Sequence, residues 1–413
     1  MEQREQHNKT QLADNWQHLV GGARLKDLTA AIASGSREIF AQGLSPWGLY
    51  YGLARVLPDL KRTLLLITAS SKQAWEAYQS LSFFLGLPEQ WRGDPLQRPL
   101  WLFPTANRRM PAEPFVAPDV QAQRLAVLYA AAASSQAKII VAPAQAVMEK
   151  VLPRRHCMDA SRYLVVREEI QREELISHSV AIGYYRTDLV EEVGDLSVRG
   201  DIIDLYTPLY PQPLRLEFFD EVLESIRFFS PASQRSSEHL DDVIIVPAHE
   251  VLLTPSRQQR AASSLTEALE EEGTLRSDLE LWQERVKGLG HFPGIEQLLP
   301  LYYDRLETLF DYLPPSTLVV QSNLGSIKKT VVELLEQAGR DRDVASQSSR
   351  WTLSPETYLL NEAEIDSSLE SYPQILQSSL PVEHAFDGKS SEILHFRLGD
   401  HRGLQQKIQD HQQ

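Results

Sequence analysis

The chain has 413 residues, 42% of them hydrophobic, with 41 basic against 56 acidic side chains and a formal net charge of −15. That length leaves room for two or three domains with ordinary cores, and the acidic balance argues against tight nucleic-acid binding by this chain alone, which needs clustered Lys and Arg. One cysteine, Cys157, excludes an internal disulfide and fits a reducing, cytoplasmic setting, and with four methionines it leaves little soft-metal chemistry.

Met1 to Asn15 is polar and lacks the apolar run of a signal peptide. Residues 1–24 are expected to be partly disordered. Leu25, Leu28, Ile32 and Ile39 recur at helical spacing, which predicts a helix from Leu19 to Phe40. A second helix should follow Gly43–Tyr50 and run through Val56. Thr63–Thr68, Leu100–Phe103 and Lys138–Ala142 are short, continuous apolar runs, as in buried parallel strands. Helices are predicted between and after them, at Ala74–Leu85, Val120–Ala133 and Pro143–Lys150. A Pro-rich loop passes through Pro104, Pro111, Pro114 and Pro118. This alternation predicts a parallel α/β sheet. No run is apolar for the roughly 18 residues that a membrane span requires.

From about Pro153 short antiparallel strands replace the βα alternation. Leu196 and Val198 alternate with Ser197 and Arg199, and Leu214, Leu216 and Phe218 alternate with Arg215, Glu217 and Phe219. Gly194 and Gly200 mark turns or bulges, and Asp220-Glu221 a turn into a third strand, Val222 to Phe229. Such a sheet buries one face. The wet face would carry Arg199, Arg215 and Glu217 side by side, with Arg199 placed to pair with Glu217 across strands. This unit should end near Pro247. Beyond it, Ala248-His249-Glu250 reads as structural or solvated. Gln258 to Glu284 reads as an acidic helix exposing Glu267, Glu270, Glu271 and Glu272. Leu318 to Gln321 is a buried strand, Ile327 to Ala338 a helix, Arg340 to Ser349 a loop, and Ile393 to Phe396 a short strand.

Two places carry chemistry by what they lack. A phosphate-binding loop reads G-x-x-x-x-G-K-[ST]: backbone amides wrap the phosphates, the lysine reaches the β and γ oxygens, and the hydroxyl holds magnesium. Here Gly43 and Gly48 keep the spacing, but Leu49 and Tyr50 stand in place of the cation and the metal ligand. No nucleotide cofactor is therefore expected. The strand Leu318–Gln321 runs into Ser322 and Asn323, two uncharged side chains that cannot replace carboxylates at magnesium.

The strings VRGDIIDLYTP (Val198–Pro208), RLEFFDEVLESIRFF (Arg215–Phe229), SQRS (Ser233–Ser236) and VIIVPAHE (Val243–Glu250) resemble the N-terminal UvrB-homologous module of the bacterial transcription-repair coupling factor (Mfd) and, more distantly, the excision-repair helicase UvrB. The resemblance covers roughly residues 25 to 375. It implies a RecA-like domain with a degenerate phosphate loop, in two segments (25–152 and 248–373), with an antiparallel β-rich α+β domain inserted at 153–247 and a linker or the start of another domain at 374–413. UvrB carries an Asp-Glu pair where Ser322 and Asn323 stand, and it keeps the nucleotide site that the coupling factors' module lacks. The interval from Pro118 to Lys138 is too short for the hairpin with which UvrB clamps DNA. The resemblance further implies recruitment of the repair protein UvrA to stalled RNA polymerase in nucleotide excision repair, by protein–protein binding and without ATP hydrolysis. Its contact positions correspond to Arg186, Arg199, Arg215 and Glu217; at Ser197 the family often has another arginine. Motor and polymerase-binding domains, present in full coupling factors, would lie beyond this chain. The rival reading is a UvrB-like DNA-dependent ATPase, and a third is a structural brace for the motor.

Overall fold

The computed structural model describes residues 27–32, 35–88, 90–106, 117–272, 276–288, 290–347, 351–379 and 391–395. A seven-stranded parallel sheet is built from β1 (Glu38–Gln42), β2 (Leu64–Thr68), β3 (Leu100–Leu102), β4 (Ile139–Pro143), β13 (Leu318–Ser322), β14 (Gln374–Ser378) and β15 (Ser391–His395). Their spatial order is β15-β1-β14-β13-β2-β4-β3. Every residue of β2, β4 and β13 is buried, which is why these strands read as unbroken apolar runs. The helices Pro46–Leu60, Ser71–Phe84, Pro118–Ala133 and Leu324–Gln347 are the long elements between the strands. The architecture is α/β and RecA-like, and the chain leaves it after β4 and returns at β13.

Three expectations change here. Ile39 and Phe40 are not helical: helix covers 27–32, and Glu38–Gln42 is a strand paired in parallel with both β14 and β15. The apolar Ile39, Phe40 and Ala41 fit either period, and the sheet decides between them. The stretch from 374 is not a plain linker, because β14 and β15 complete the sheet around β1. Arg340–Gln347, expected as a loop, is the last part of the long helix. The expectations for residues 1–24, for Pro111 and Pro114, and for the side chains of Glu270 to Glu272 lie outside the described residues.

Between β4 and β13 the chain builds a six-stranded sheet from β6 (Tyr185–Arg186), β7 (Asp195–Arg199), β8 (Ile202–Leu205), β9 (Leu214–Phe219), β10 (Val222–Phe229) and β11 (Ser236–Leu240), in the order β11-β10-β9-β8-β7-β6. It is antiparallel except for the short β6–β7 pair. β5 (Arg162–Val165) and β12 (Asp242–Ile245) form a separate antiparallel pair. The inner face of the large sheet, with Leu196, Ile203, Leu205, Leu214, Leu216 and Phe218, belongs to one continuous apolar core that also takes in Leu65, Ile67, Ile140 and Leu125. The inserted unit is therefore packed against the α/β layer.

The junction is held by a buried ion triad. Arg124 is fully buried; its Nε donates to Glu250 (2.9 Å) and its Nη1 to Glu149 (2.9 Å) and to the Pro104 carbonyl (2.7 Å). The guanidinium lies 4.4 Å from the centre of the Phe103 ring. Glu250 is thus a structural anion, and His249 accepts a hydrogen bond from the Val251 amide through Nδ1. Among the described residues no group of three His, Cys, Asp or Glu side chains could hold a metal ion, and no helix is long and apolar enough to cross a membrane.

Cys157 is fully buried, and burial pushes its thiol up to about 12. Only the thiolate reacts with disulfide reagents. The native protein should therefore leave an aromatic disulfide reagent unreduced at neutral pH and release one equivalent of chromophore on unfolding in urea. Rapid labelling of the folded chain would contradict the buried position.

Candidate functional site

The outer face of the six-stranded sheet is ordered by strand register. Ser197, Asp204, Arg215, Arg227 and His239 form one row across β7 to β11, because each is the registered partner of the next. Beside it run Arg199, Ile202 and Glu217. Ile202 therefore stands between Arg199 and Glu217, and the expected cross-strand pair between them is not formed.

Both arginines turn instead to Asp204, which is 1% exposed. Arg215 grips it with two parallel bonds, Nε to Oδ1 at 2.8 Å and Nη2 to Oδ2 at 2.9 Å. This planar fork is the geometry that guanidinium offers a carboxylate and ammonium cannot. Arg199 adds a third bond, Nη2 to Oδ2 at 2.6 Å. Hydrogen bonding to Asp204 raises the Arg215 guanidinium further above its ordinary value. The Arg215 side chain also lies over the Phe229 ring, 4.7 Å from its centre, and is only 13% exposed, whereas that of Arg199 is 48% exposed. Arg215 is thus not the water-facing residue that alternation predicts. Glu217 accepts from Ser225 Oγ (2.7 Å) and Arg227 Nη2 (2.8 Å). Ser197 is buried and donates to the Asp188 carbonyl.

Arg186, on the edge strand β6, is exposed, and its neighbour Tyr185 is 45% exposed. Phe219 follows Glu217 on the same side of β9 and is 72% exposed. Sequence reasoning alone does not single out Asp204, Arg227 or Phe219. Asp204 and Arg227 emerge when the three strands are written in register; Phe219 stands in plain alternation with Arg215 and Glu217.

The second place of interest is the loop after β1. Gly43 adopts a left-handed conformation (φ 71°), as the tight exit from the strand requires. Ser45 caps the helix Pro46–Leu60, with its Oγ accepting from the Gly48 amide at 3.1 Å. Pro46, at the first helical position, has no amide hydrogen to offer. Leu49 and Tyr50 are both buried in the core under the sheet. Burial pushes the Tyr50 hydroxyl up to about 12, with the nearby Ser322 side chain acting in the opposite direction. The loop and the β13 terminus, far apart in sequence, thus meet in space.

One side chain from β14 ties them together. Gln377 is fully buried; its Nε2 donates to the Leu44 carbonyl (2.5 Å), and its Oε1 accepts from the Asn323 amide (2.7 Å) and from Ser322 Oγ (3.3 Å). Asn323 itself turns the chain in a left-handed conformation (φ 63°) into the next helix. The loop amide of Gly48 and the loop carbonyl of Leu44 are therefore bonded within the protein.

Residues 163–251 match the family model of the UvrB interaction domain, a span that contains the whole six-stranded sheet. Three relatives are transcription-repair-coupling factors. The chain is 29% identical over 402 residues to that of Myxococcus xanthus, covering 95% of this chain and 32% of the relative. It is 27% identical over 340 residues to that of Bacillus subtilis (79% and 27%), and 27% identical over 269 residues to that of Escherichia coli (64% and 22%). The chain thus spans about a third of the length of the first relative and less of the other two.

Proposed function

We propose that this chain, a relative of the transcription-repair coupling factors that carries a UvrB interaction domain, is a protein-binding module. It recruits UvrA to stalled RNA polymerase in nucleotide excision repair through the outer face of its six-stranded sheet. The observation that carries this reading is that the segment matching the UvrB interaction domain contains the whole six-stranded sheet, whose outer face is the polar one. The face combines the exposed Arg199, the Glu217–Arg227 pair and the exposed ring of Phe219, whereas Arg186, exposed on the edge strand, is in register with Leu196 and so lies on the opposite side of the sheet. Arginine and aromatic side chains are the residue types that anchor protein interfaces. In this reading the α/β segments at about 25–152 and 248–373 hold the inserted domain, at 153–247, in place. Capture of purified UvrA by this chain, measured by titration calorimetry, tests the reading; absence of heat at micromolar concentrations of both proteins would refute it.

The same proposal holds that the chain does not use ATP. The supporting geometry is the closed loop: buried Leu49 and Tyr50, the capped Gly48 amide, and the Gln377 bridge to Ser322 and Asn323. A ligand that binds only the folded state at a hundred times its Kd adds about 2.7 kcal/mol of stability. Thermal melts with and without magnesium-ATP should therefore coincide. A clear upward shift, lost on altering Gly43, would show a working nucleotide site.

A further inference from the structure

We infer that Asp204 and Arg215 are positioning residues that hold Arg199 ready for a partner carboxylate, and that of these three only Arg199 makes the contact. The inference rests on the proposed binding to UvrA and divides the work within that face.

Asp204 is too deeply buried to meet a partner: its side chain is 1% exposed, and three guanidinium N–H groups already point at its two oxygens. Arg215 has little more freedom. Its Nε and Nη2 are both spent on Asp204, its Nη1 faces the Gln234 carbonyl (3.3 Å) and Ser236 Oγ (3.4 Å), and the ring of Phe229 lies under its plane. Arg199 is tethered to Asp204 through Nη2 and leaves half of its side chain in water. The two arginines bring two positive charges to one buried negative charge, so the cluster offers net positive charge at the one arginine that is exposed. Strand register fixes the arrangement, since Asp204 lies opposite Arg215 on β9 and one hairpin turn from Arg199.

The expected consequence is a preorganised contact. A free arginine side chain must lose its rotamer freedom on binding, whereas one tethered at Nη2 has already lost much of it. Arg199→Ala should weaken UvrA binding about thirtyfold, as loss of an interface anchor does. Asp204→Asn keeps the shape and one acceptor oxygen but removes the charge; it should weaken binding about tenfold, acting through Arg199.

The test is a double-variant cycle in titrations with UvrA, joined to nitrogen-15 relaxation of the arginine Nε–Hε groups in the chain alone. Asp204→Asn should cost about tenfold in the parent and less than about threefold when Arg199 is already alanine. The Arg199 side chain should become more mobile in Asp204→Asn than in the parent, with no partner present. A full tenfold loss in both backgrounds, or unchanged Arg199 mobility, would overturn the inference. If the parent itself fails to bind UvrA, the proposed function falls, while the mobility measurement still decides whether Asp204 positions Arg199. Should Asp204→Asn melt below the assay temperature, Arg215→Lys serves instead: it keeps the charge, loses the fork, and should reproduce the same dependence on Arg199.

Discussion

Arg199→Glu should reduce UvrA binding by at least about a hundredfold, well beyond the loss from Arg199→Ala. Two effects add. The anchor is removed, and a carboxylate is placed where an acidic partner group is expected, so that attraction becomes repulsion. The apolar face made by Leu196, Ile203, Leu214 and Leu216 is untouched, and Arg215 still neutralises Asp204. The melting curve should therefore stay close to the parent's. The Glu217→Ala variant should weaken binding separately and add to Arg199→Ala, because Glu217 is held by Arg227 and Ser225 and shares no partner with Arg199. Binding of Arg199→Glu within threefold of the parent would sink the interface assignment. So would a variant that melts early enough for lost binding to report unfolding.

The largest effect on stability is expected at Arg124. Arg124→Met replaces a fully buried cation by an apolar side chain and leaves Glu149 and Glu250 facing one another without it. Breaking a buried ion pair on one side costs about 3–5 kcal/mol, because the remaining charge stays desolvated. For a unit of this size each kcal/mol moves Tm by roughly 2–4 °C, so a drop on the order of 10 °C is expected. Here one cation serves two anions. Glu149→Gln or Glu250→Gln leaves one ion of each sign and should therefore cost less than Arg124→Met. The ranking is checked by urea unfolding of the three variants. Equal melts for Arg124→Met and the parent would show that the triad is not what joins the inserted unit to the α/β layer.

The parts of the fold that are legible in the sequence are those where one physical pattern acts alone. β2 and β4 are buried on both faces and can only read as apolar runs. β9 buries one face and reads as strict alternation, and β10 has the boundaries expected, Val222 to Phe229. β1 reads wrongly as helix because Ile39 continues the helical spacing of Leu25, Leu28 and Ile32, and only pairing with β14 and β15 selects the strand. The site is legible as residue types and not as partnerships. Arg199, Arg215 and Glu217 do share one outer face, but alternation along a strand says nothing about which neighbour across the sheet takes which bond. Asp204 answers that question, and it hides in an apolar string as the fourth residue of Asp201-Ile202-Ile203-Asp204. Gln377 is invisible for a related reason. A buried amide inside a strand has no sequence signal until the two loops it bridges are known to meet. Arg124, Glu149 and Glu250 are likewise joined only by the fold.

The parallel sheet is interrupted between β4, which ends at Pro143, and β13, which begins at Leu318, 175 residues later (318 − 143). In space β13 lies directly against β2, and β14 separates it from β1. During synthesis, at roughly 5–20 residues per second, about 9–35 s pass after β4 is made before the strand that seals the open flank of β2 appears. The six-stranded sheet, complete by residue 240, has all of its own strands long before then. The ribosome thus delivers the binding face first and the scaffold's last strands afterwards. In the interval an apolar strand edge, β2, stands open, the kind of edge that other chains can pair with. Slow translation through this interval would lengthen that exposure, whereas chaperone occupancy of β2 would be most useful during it.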